Sequence, residues 1–599
     1  MKSTSLIKKI GLFLFVAGFG FFNAFFFMSD FRLTEDILKE NLTDESTYES
    51  VRSSAAGMIG KTYDYNIPFL KDLDQVMEEA NQKITAKYGI TEEEINQMVG
   101  PYEQEENISF SVEKAKEALE GEEDISSFKQ KIFGDYTSWM DGQTFENTTA
   151  LENQLTSTVT HINNDVIRQK GIDRYEIDEL KTSITKAATM GFVESHPGLA
   201  LWLTYGVAIL GALLYILPKL EKLPGIKNDG IFFSSMKNRG WLGILTGTYL
   251  IAFYVFLYFY PHYMTNWIRM VDPLSQWLKG QDAGRFFLYG FLYTLCILVM
   301  GVRMLIHYRH SNYHIIRTFS IMFFQLAFAF LIPEILLRLN QPYMDFKNIW
   351  PLDYDFFFPS NLNELLSSGG LGIFMLVWGI ALAVISVPVL VYFFGKRWYC
   401  SWVCGCGGLA ETLGDPYRQL SDKSLKAWRI ERWMVHGVLV FAVLMTAGMI
   451  YTFFTGSGSL LGINTYTISE AYGFLIGAGF AGVIGTGFYP FMGNRVWCRF
   501  GCPLAAYLGM VQRFKSRFRI TTNGGQCISC GNCSTYCEMG IDVRWYAQRG
   551  QNIIRASCVG CGICASVCPR GVLKLENKQE KGRFNEPILI GNDSVSVSH

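Results

Sequence analysis

The sequence predicts a mainly α-helical membrane protein with about eight spans, an outer helical domain and a small α+β domain near the C-terminus. Three observations support this fold class. Eight segments are apolar enough to cross a bilayer, an acidic segment separates the first two, and two cysteine runs lie near the C-terminus. Hydrophobic residues make up 49% of the 599 residues and charged residues 18%, which excludes a disordered chain.

Each predicted span can cross the hydrocarbon core, which requires roughly 20 apolar residues in a helix. The spans lie near residues 6–28, 198–217, 240–260, 283–304, 317–338, 369–394, 431–455 and 472–493. Residues 1–29 are expected to remain as an N-terminal membrane anchor. Their apolar stretch exceeds the roughly 7–15 residues of a signal peptide, and no small-x-small cleavage site follows it.

The positive charges of the loops predict the orientation of the chain. Loops 218–239, 303–317 and 396–432 contain five, three and seven lysines and arginines, and the alternate loops 261–282, 339–368 and 456–471 contain two, one and none. Loops rich in lysine and arginine stay in the cytoplasm. Both termini are therefore expected in a bacterial cytoplasm, with the chain crossing the inner membrane and residues 30–196 outside it.

The acidic segment at residues 30–196 is expected to form the outer helical domain. It carries 16 basic and 34 acidic residues, a net charge of −18, whereas the rest of the chain carries 37 and 20, or +17. Its apolar residues recur at three- and four-residue spacing, which predicts about four helical segments. The segment contains no cysteine and only two histidines, which excludes a disulfide core and a CxxCH haem. We expect no chemistry here, although the domain remains a candidate for binding an unidentified partner.

The strongest signal in the sequence is a pair of cysteine runs with the spacing C-x2-C-x2-C-x3-C. The runs are Cys527, Cys530, Cys533 and Cys537, then Cys558, Cys561, Cys564 and Cys568. In two-cluster ferredoxins, the fourth cysteine of each run binds the other [4Fe-4S] cluster. Cluster A is therefore predicted to use Cys527, Cys530, Cys533 and Cys568, and cluster B to use Cys558, Cys561, Cys564 and Cys537.

Two zinc sites are the alternative explanation of these runs, and four cysteines per run make it the weaker one. The first run is less regular than the second. Pro569 follows the second run, whereas Glu538 and not a proline follows the first. Residues 513–575 are thus expected to form a ferredoxin domain with two [4Fe-4S] clusters, followed by a polar tail at 576–599.

A second cysteine pattern, C-x3-C, occurs twice in the predicted seven-span membrane domain at 197–512. Gly395, Arg397, Cys400 and Cys404 match Gly493, Arg495, Cys498 and Cys502 at an offset of 98 residues. Each copy follows a span that runs from outside to inside, so we expect both cysteine pairs at the cytoplasmic membrane surface. These thiols, with the additional Cys406, are candidates for binding a soft metal or for cycling between dithiol and disulfide.

A multi-span chain with two C-x3-C motifs and a two-cluster ferredoxin resembles the membrane-bound polyferredoxins of the NapH and NosR type. The resemblance covers about residues 370–575. The family usually has C-x3-C-P twice; Pro503 completes the second copy here, whereas the first continues Cys404-Gly405-Cys406. NosR-type members attach an outer flavin at an S-G-A-[TS] motif. Residues 30–196 lack this motif, so an outer flavin is not expected. Haem is not expected either, because the histidines of the chain form no clear ligand pair.

The resemblance implies an inner-membrane iron–sulfur protein that relays electrons between cytoplasmic [4Fe-4S] clusters and a membrane carrier such as quinone, or a partner oxidoreductase. Two other functions stay open. One is redox-driven metal handling or cofactor assembly, in which the C-x3-C pairs pass on a soft metal such as copper. The other is redox-linked sensing through the outer domain. No catalytic residue is predicted, nucleic acid is not an expected partner, and any catalysis is expected in a partner subunit.

Overall fold

The computed structural model describes residues 2–42, 44–102, 107–119, 123–172, 177–221, 240–456, 459–460, 463–577, 589–590 and 595–596. Most of the basic loop at 218–239 and most of the predicted polar tail lie outside these residues. The chain divides into two compact units. One consists of Phe22–Ala200 and Tyr260–Met270, and the other of Met1–Phe21, Leu201–Phe259 and Val271–His599.

Eight helices in the described part of the chain are long and apolar enough to cross a membrane, which confirms the predicted fold class of a polytopic, mainly α-helical protein. They are Ser5–Phe27, Pro197–Glu221, Trp241–Phe259, Arg285–His307, Asn312–Arg338, Gly369–Phe394, Leu425–Thr455 and Thr465–Gly487. Four of them contain a π-helical stretch. These stretches are Trp202–Gly206, Phe324–Leu331, Leu382–Ser386 and Gly473–Ile484.

The unit that contains the acidic segment is mainly helical, with short antiparallel strands that the sequence pattern did not predict. Its helices are Glu35–Asn41, Glu45–Ser54, Asn66–Tyr88, Glu92–Val99, Val112–Glu117, Glu123–Thr137, Thr148–Lys170, Ile177–Ala188, Phe192–Ser195 and Thr265–Met270. Asp30–Arg32 pairs with Thr62–Tyr63 and Thr189–Met190, and Ile108–Ser109 pairs with Thr144–Phe145. Strands of two or three residues are too short for an alternating pattern to be recognised in the sequence.

The other unit adds short helices and paired strands between and after its spans. The helices are Asp272–Lys279, Pro359–Ser367, Arg397–Cys400, Gly405–Thr412, Asp415–Leu420, Tyr489–Met492, Trp497–Gly501, Pro503–Lys515, Gly524–Gln526, Asn532–Thr535, Val543–Gln548 and Ile563–Ser566. The strand pairs are Ser459–Leu460 with Ile463–Asn464, Arg519–Thr522 with Leu573–Glu576, and Leu589–Ile590 with Val595–Ser596. The second pair joins the two ends of the predicted ferredoxin domain and so places both cysteine runs between its strands.

Candidate iron–sulfur and thiol centres

Each C-terminal cysteine run forms the same loop followed by a short helix. Gly531 precedes the helix Asn532–Thr535 with a φ of 79°, and Gly562 precedes Ile563–Ser566 with a φ of 83°. This left-handed backbone is readily adopted only by glycine. The two runs therefore use the same turn to place their third cysteine at the start of a helix.

The predicted ligands of cluster A lie near one another. Burial raises the pKa of the Cys533 thiol to about 12, and the charges of Cys568, Cys527 and Cys530 contribute to this shift. Cys568 comes from the second run, as expected for crossed ligation. Cys530 is exposed, so this set of thiols opens to solvent on one side.

The predicted ligands of cluster B are also close together, and they are more deeply placed. Burial raises the pKa of the Cys564 thiol, and the charges of Cys561, Cys558 and Cys537 raise it further. Each of these four cysteines is buried or half-buried. The structure thus brings the fourth cysteine of the first run to the thiols of the second.

The thiols of these runs lie further apart than the sulfurs of a zinc site. Zinc–sulfur bonds of about 2.3 Å in a tetrahedron hold the sulfurs about 3.8 Å apart. Among the described residues, the one group of three or more ligand atoms within 4.8 Å of one another is Glu411, Glu538 and Cys561. No three cysteines in that part of the chain approach so closely, whereas a cuboidal cluster holds its thiolates further apart.

The two C-x3-C copies begin with the same backbone turn. Gly395 has a φ of 70° and Gly493 a φ of 94°. A Cβ atom would lie 2.6 Å from a ring carbon of Phe518 at the first position and 2.3 Å from the hydroxyl of Ser421 at the second. Both the left-handed backbone and the close contact therefore require glycine at the start of each copy.

The second cysteine of each copy lies directly before a helix. Cys404 precedes Gly405–Thr412 and Cys502 precedes Pro503–Lys515. The sulfur of Cys502 accepts a hydrogen bond from the backbone N–H of Ala505 at 3.4 Å. The N-terminus of a helix carries a partial positive charge that favours a thiolate, so both positions suit metal or redox chemistry.

The four C-x3-C thiols are buried and share one site. Cys400, Cys404, Cys498 and Cys502 are each less than one-tenth exposed. Burial raises the pKa of the Cys400 thiol to about 12; the charge of Lys396 opposes this shift, and those of Cys404 and Cys498 add to it. The charges of Cys498, Cys400 and Cys404 likewise add to burial in raising the pKa of Cys502. We call these four thiols the thiol site.

Cys406 joins the thiol site through Cys404. The neighbouring Cys406 thiol lowers the pKa of the Cys404 thiol, although burial opposes the shift, and Cys404 in turn raises the pKa of Cys406. The backbone N–H of Gly407 also lowers the pKa of Cys404. The pair Cys404 and Cys406 is therefore the part of the site that most readily holds a thiolate.

The thiol site lies inside the helix bundle, beside residues near the middle of two of the spans. Gly405 packs against Gln325 and Tyr293, which lie in the middle thirds of Asn312–Arg338 and Arg285–His307. After each C-x3-C copy, the chain turns back among the spans. The helices Gly405–Thr412 and Pro503–Lys515 therefore begin inside the bundle. Such short segments carry too few apolar residues to be recognised by hydropathy.

A loop from the opposite end of the spans also reaches this site. Residues 339–358 follow the helix Asn312–Arg338, and the ammonium group of Lys347 lies beside Gly405. Lys347 is 8% exposed, and its Nζ lies 2.7 Å from Oδ2 of Asp345. Its charge helps to lower the pKa of Cys404. Nothing in the local sequence around Lys347 pointed to the cysteines.

A buried network of ion pairs joins the C-x3-C region to the ferredoxin domain. Glu411 accepts hydrogen bonds from Arg317, Arg418 and Arg495. Glu538 lies 2.6 Å from Arg418 and 3.1 Å from Arg495. All five side chains are at most 2% exposed. Although burial opposes it, the three arginines hold the pKa of Glu411 well below its ordinary value.

This network explains why Glu538 replaces the expected proline after Cys537. The buried guanidinium groups need counter-ions, and a proline at this position would remove the carboxylate that pairs with both Arg418 and Arg495. Arg317 is one of the three basic residues of the predicted loop 303–317. In the structure it lies in the helix Asn312–Arg338 and is fully buried. In the sequence, the glutamate in place of proline after Cys537 was the signal that could have indicated this network.

The cluster B loop is fixed to the membrane region by four hydrogen bonds in a row. The backbone carbonyls of residues 558–561 accept, in order, from Gln512, Ser401, Tyr313 and Arg317. The first three bonds are 2.9, 2.7 and 2.7 Å long. Because these donors come from three separate segments, the loop is held in one position against the C-x3-C region.

Comparisons with known families support iron–sulfur chemistry in both cysteine regions. A family described as a 4Fe-4S dicluster domain matches residues 526–573. A family described as a 4Fe-4S binding domain matches twice, at 371–425 and 472–521. The two matches of one family coincide with the two C-x3-C copies. The chain therefore binds [4Fe-4S] clusters in its C-terminal region.

Curated proteins similar to this chain point the same way. YccM of Escherichia coli (strain K12), whose name describes electron transport, is 26% identical over 184 residues, which are 27% of this chain and 47% of YccM. The methylamine utilization ferredoxin-type protein MauN of Paracoccus denitrificans (strain Pd 1222) is 28% identical over 171 residues, which are 27% of this chain and 56% of MauN. The chain spans about half the length of the curated relatives it matches, and no solved structure matches it. These similarities confirm the predicted resemblance to ferredoxin-type proteins.

Proposed function

We propose that the protein relays single electrons between a redox partner, the two ferredoxin clusters, the thiol site and a membrane carrier such as quinone, or a partner oxidoreductase. The clusters, when bound by the two crossed cysteine sets, supply one-electron chemistry. The thiol site provides either a further metal centre or a redox dithiol. The ferredoxin domain is placed on the cytoplasmic side of an inner membrane, because the basic loops predict that side.

The observation that carries the proposal is the attachment of the cluster B loop to the C-x3-C region. Four consecutive carbonyls of this loop accept side-chain hydrogen bonds. Lys396 adds to this attachment, since its backbone N–H donates to Gln512 at 2.6 Å and its ammonium group to the carbonyl of Ala556 at 3.3 Å. A relay requires its centres at a fixed separation, and supporting hydrogen bonds of this kind provide it.

The surface near cluster A supports a soluble partner as the other end of the relay. Cys530 is exposed, and Ile528 and Trp545 are 53% and 44% exposed. The guanidinium group of Arg549 lies 3.9 Å from the ring centre of Trp545. Aromatic residues and arginine are enriched in the cores of protein interfaces, so this surface is the proposed docking position of the partner.

Redox-driven metal handling is the second candidate function, and the pair Cys404 and Cys406 favours it. Cys406 lowers the pKa of the Cys404 thiol, and a lowered thiol pKa is typical of cysteines that exchange disulfides or bind soft metals. In this alternative, the thiol site holds or reduces a metal such as copper while the clusters supply electrons.

One experiment separates these functions. Protein purified without oxygen is analysed for iron, sulfide and copper and titrated by EPR-monitored redox potentiometry, alongside Cys498→Ser/Cys502→Ser. Two clusters require about eight iron and eight sulfide atoms. If the protein is an electron relay, the variant keeps both ferredoxin clusters and loses one further redox centre. If it handles a metal, the variant loses stoichiometric copper and no iron. Clearly fewer than eight iron atoms in the unsubstituted protein would contradict the relay. Cys296→Ser, outside every site described, is the control.

A second experiment tests the attachment of the cluster B loop. Tyr313→Phe combined with Ser401→Ala removes two of the four donors and leaves every predicted ligand in place. We expect unchanged iron content and electron transfer from the reduced clusters to the thiol site that is at least tenfold slower. Ser566→Ala removes an exposed hydroxyl that bonds Gly562 within its own loop, and it is expected to leave the rate unchanged. An unchanged rate in the double variant would refute the role of the attachment.

A further inference from the structure

A strongly cationic cavity lies beside the thiol site. It has a volume of about 310 Å³ and is lined by parts of the helices Leu425–Thr455 and Pro503–Lys515 and by the ferredoxin domain. Cys498 forms part of its wall, and Glu431 is the one carboxylate in the lining. Five cationic side chains face this carboxylate. They are Lys396, Arg432, Arg499, Arg513 and Arg555.

The two most buried cations are bonded on one side only. Arg499 is 3% exposed; its Nε donates to Glu431 at 2.8 Å and its Nη1 to the carbonyl of Asp422 at 2.7 Å. Its Nη2 is buried and has no hydrogen-bond partner among the described residues. Lys396 is 2% exposed, and its ammonium group donates to a backbone carbonyl rather than to a carboxylate. Buried donors of this kind are costly unless a further partner is bound.

The other three cations have no counter-ion in the described part of the chain. The guanidinium groups of Arg432 and Arg555 both lie over the ring of Trp428, at 5.3 and 4.9 Å from its centre. Arg513 lies on the helix Pro503–Lys515 and is exposed. Like charges gathered around one cavity repel one another, so the arrangement is expected to be stabilised by a bound anion.

We propose that this cavity binds a phosphate group, carried either by a phospholipid head group or by a soluble phosphate. Four of the five cations are arginines, whose planar fork matches phosphate oxygens in bidentate hydrogen bonds. The excess of positive charge favours an anion, and the oxygens of one phosphate group can accept hydrogen bonds from several of these cations at once. Of these cations only Lys396 also holds the cluster B loop in the proposed relay, and the four arginines have no part in that relay. Since Cys498 lines the same cavity, the bound anion would lie next to the thiol site.

The test uses holoprotein freed of lipid in a neutral detergent. Inorganic phosphate is titrated by calorimetry, and binding of the protein's own lipid is measured by native mass spectrometry after exchange into nanodiscs of phosphatidylcholine with or without phosphatidylglycerol. Arg513→Gln/Arg555→Gln removes two charges from the cavity. Arg429→Gln/Arg517→Gln removes two exposed charges outside it and is the matched control. Iron content verifies that each variant is folded, and Arg513→Gln alone replaces the double variant if that variant loses its clusters.

We expect the cavity variant to bind phosphate or the anionic lipid at least tenfold more weakly, because a charge-assisted hydrogen bond is lost with each arginine. The control is expected to change affinity less than twofold. Binding of inorganic phosphate identifies a soluble ligand, and binding of phosphatidylglycerol alone identifies a lipid head group. Equal weakening in both variants, or no binding of either probe by the unsubstituted protein, overturns the proposal.

Discussion

Glu411→Gln tests the buried network that joins the membrane region to the ferredoxin domain. The substitution keeps the size of the side chain and removes the charge that Arg317, Arg418 and Arg495 share. A hydrogen bond to a charged group contributes roughly 1.5–3 kcal/mol, and removing one partner of a buried ion pair costs about 3–5 kcal/mol. The glutamine oxygen still accepts one hydrogen bond, so we expect unfolding to require about 3–5 kcal/mol less. This loss is smaller than the sum of the three charged hydrogen bonds that Glu411 accepts.

The loss is measured as a shift in guanidinium-induced unfolding of detergent-solubilised holoprotein. The visible absorbance of the clusters reports on the ferredoxin domain, and far-UV circular dichroism reports on the helices. Because a typical domain is stable by about 5–15 kcal/mol, the expected shift takes a large part of the total. Glu364→Gln makes the same chemical change at an exposed position and is expected to shift the unfolding free energy by less than 0.5 kcal/mol, within the range of about ±0.5 kcal/mol usual for surface changes.

A double-mutant cycle gives the refutation. Glu411 and Glu538 share Arg418 and Arg495, so the effects of Glu411→Gln and Glu538→Gln are expected to be non-additive by more than about 0.5 kcal/mol. A loss in Glu411→Gln no larger than in the exposed control would refute the structural role of the network. Additive single effects would show that the two carboxylates act separately.

Three further predictions concern other parts of the chain. Lys347→Met leaves the half-buried Asp345 without its cation, so unfolding in detergent is expected to require about 3 kcal/mol less, and Lys347→Arg is expected to recover most of this. Alanine at Gly395 or Gly493 strains a left-handed backbone by roughly 1–3 kcal/mol and is expected to lower the melting temperature, whereas Gly525→Ala, in open space, is not. Burial lowers the pKa of His262 to about 4, below the value of about 6.5 in the unfolded chain. As the pH drops, the unfolded state therefore takes up the proton first, and the free energy of unfolding falls by up to about 3 kcal/mol between pH 6.5 and 4. His262→Gln is expected to remove this pH dependence. If the free energy of unfolding of the variant still falls with the same slope, the dependence does not come from His262.

The spans and the cysteine runs could be predicted because their signals are local. An apolar stretch of sufficient length is visible without knowledge of its neighbours, and the ligand spacing of a ferredoxin is contained within a dozen residues. The 98-residue offset likewise indicated that Cys400 and Cys498 belong to equivalent segments, and both are in the thiol site.

The surroundings of the thiol site could not be predicted, because they depend on contacts between distant segments. Lys347 and Gly405 are neighbours only after a loop folds back among the spans. Arg317 counted as a loop charge in the sequence, although in the structure it bonds Glu411. A charge count does not distinguish a solvated arginine from one with a buried counter-ion, and periodicity does not reveal how deep a short helix begins.

The depth of the thiol site gives the membrane voltage a role in the proposed relay. Moving one elementary charge across a whole bilayer requires about 2.3 kcal/mol per 100 mV, so an electron that travels roughly half the distance experiences about 1 kcal/mol per 100 mV. In the proposed orientation, with the ferredoxin domain inside and the interior negative, this field would drive electrons from cluster B toward Cys404 and its neighbours. The redox balance between the two would then follow the energisation of the cell, with no charged helix having to move.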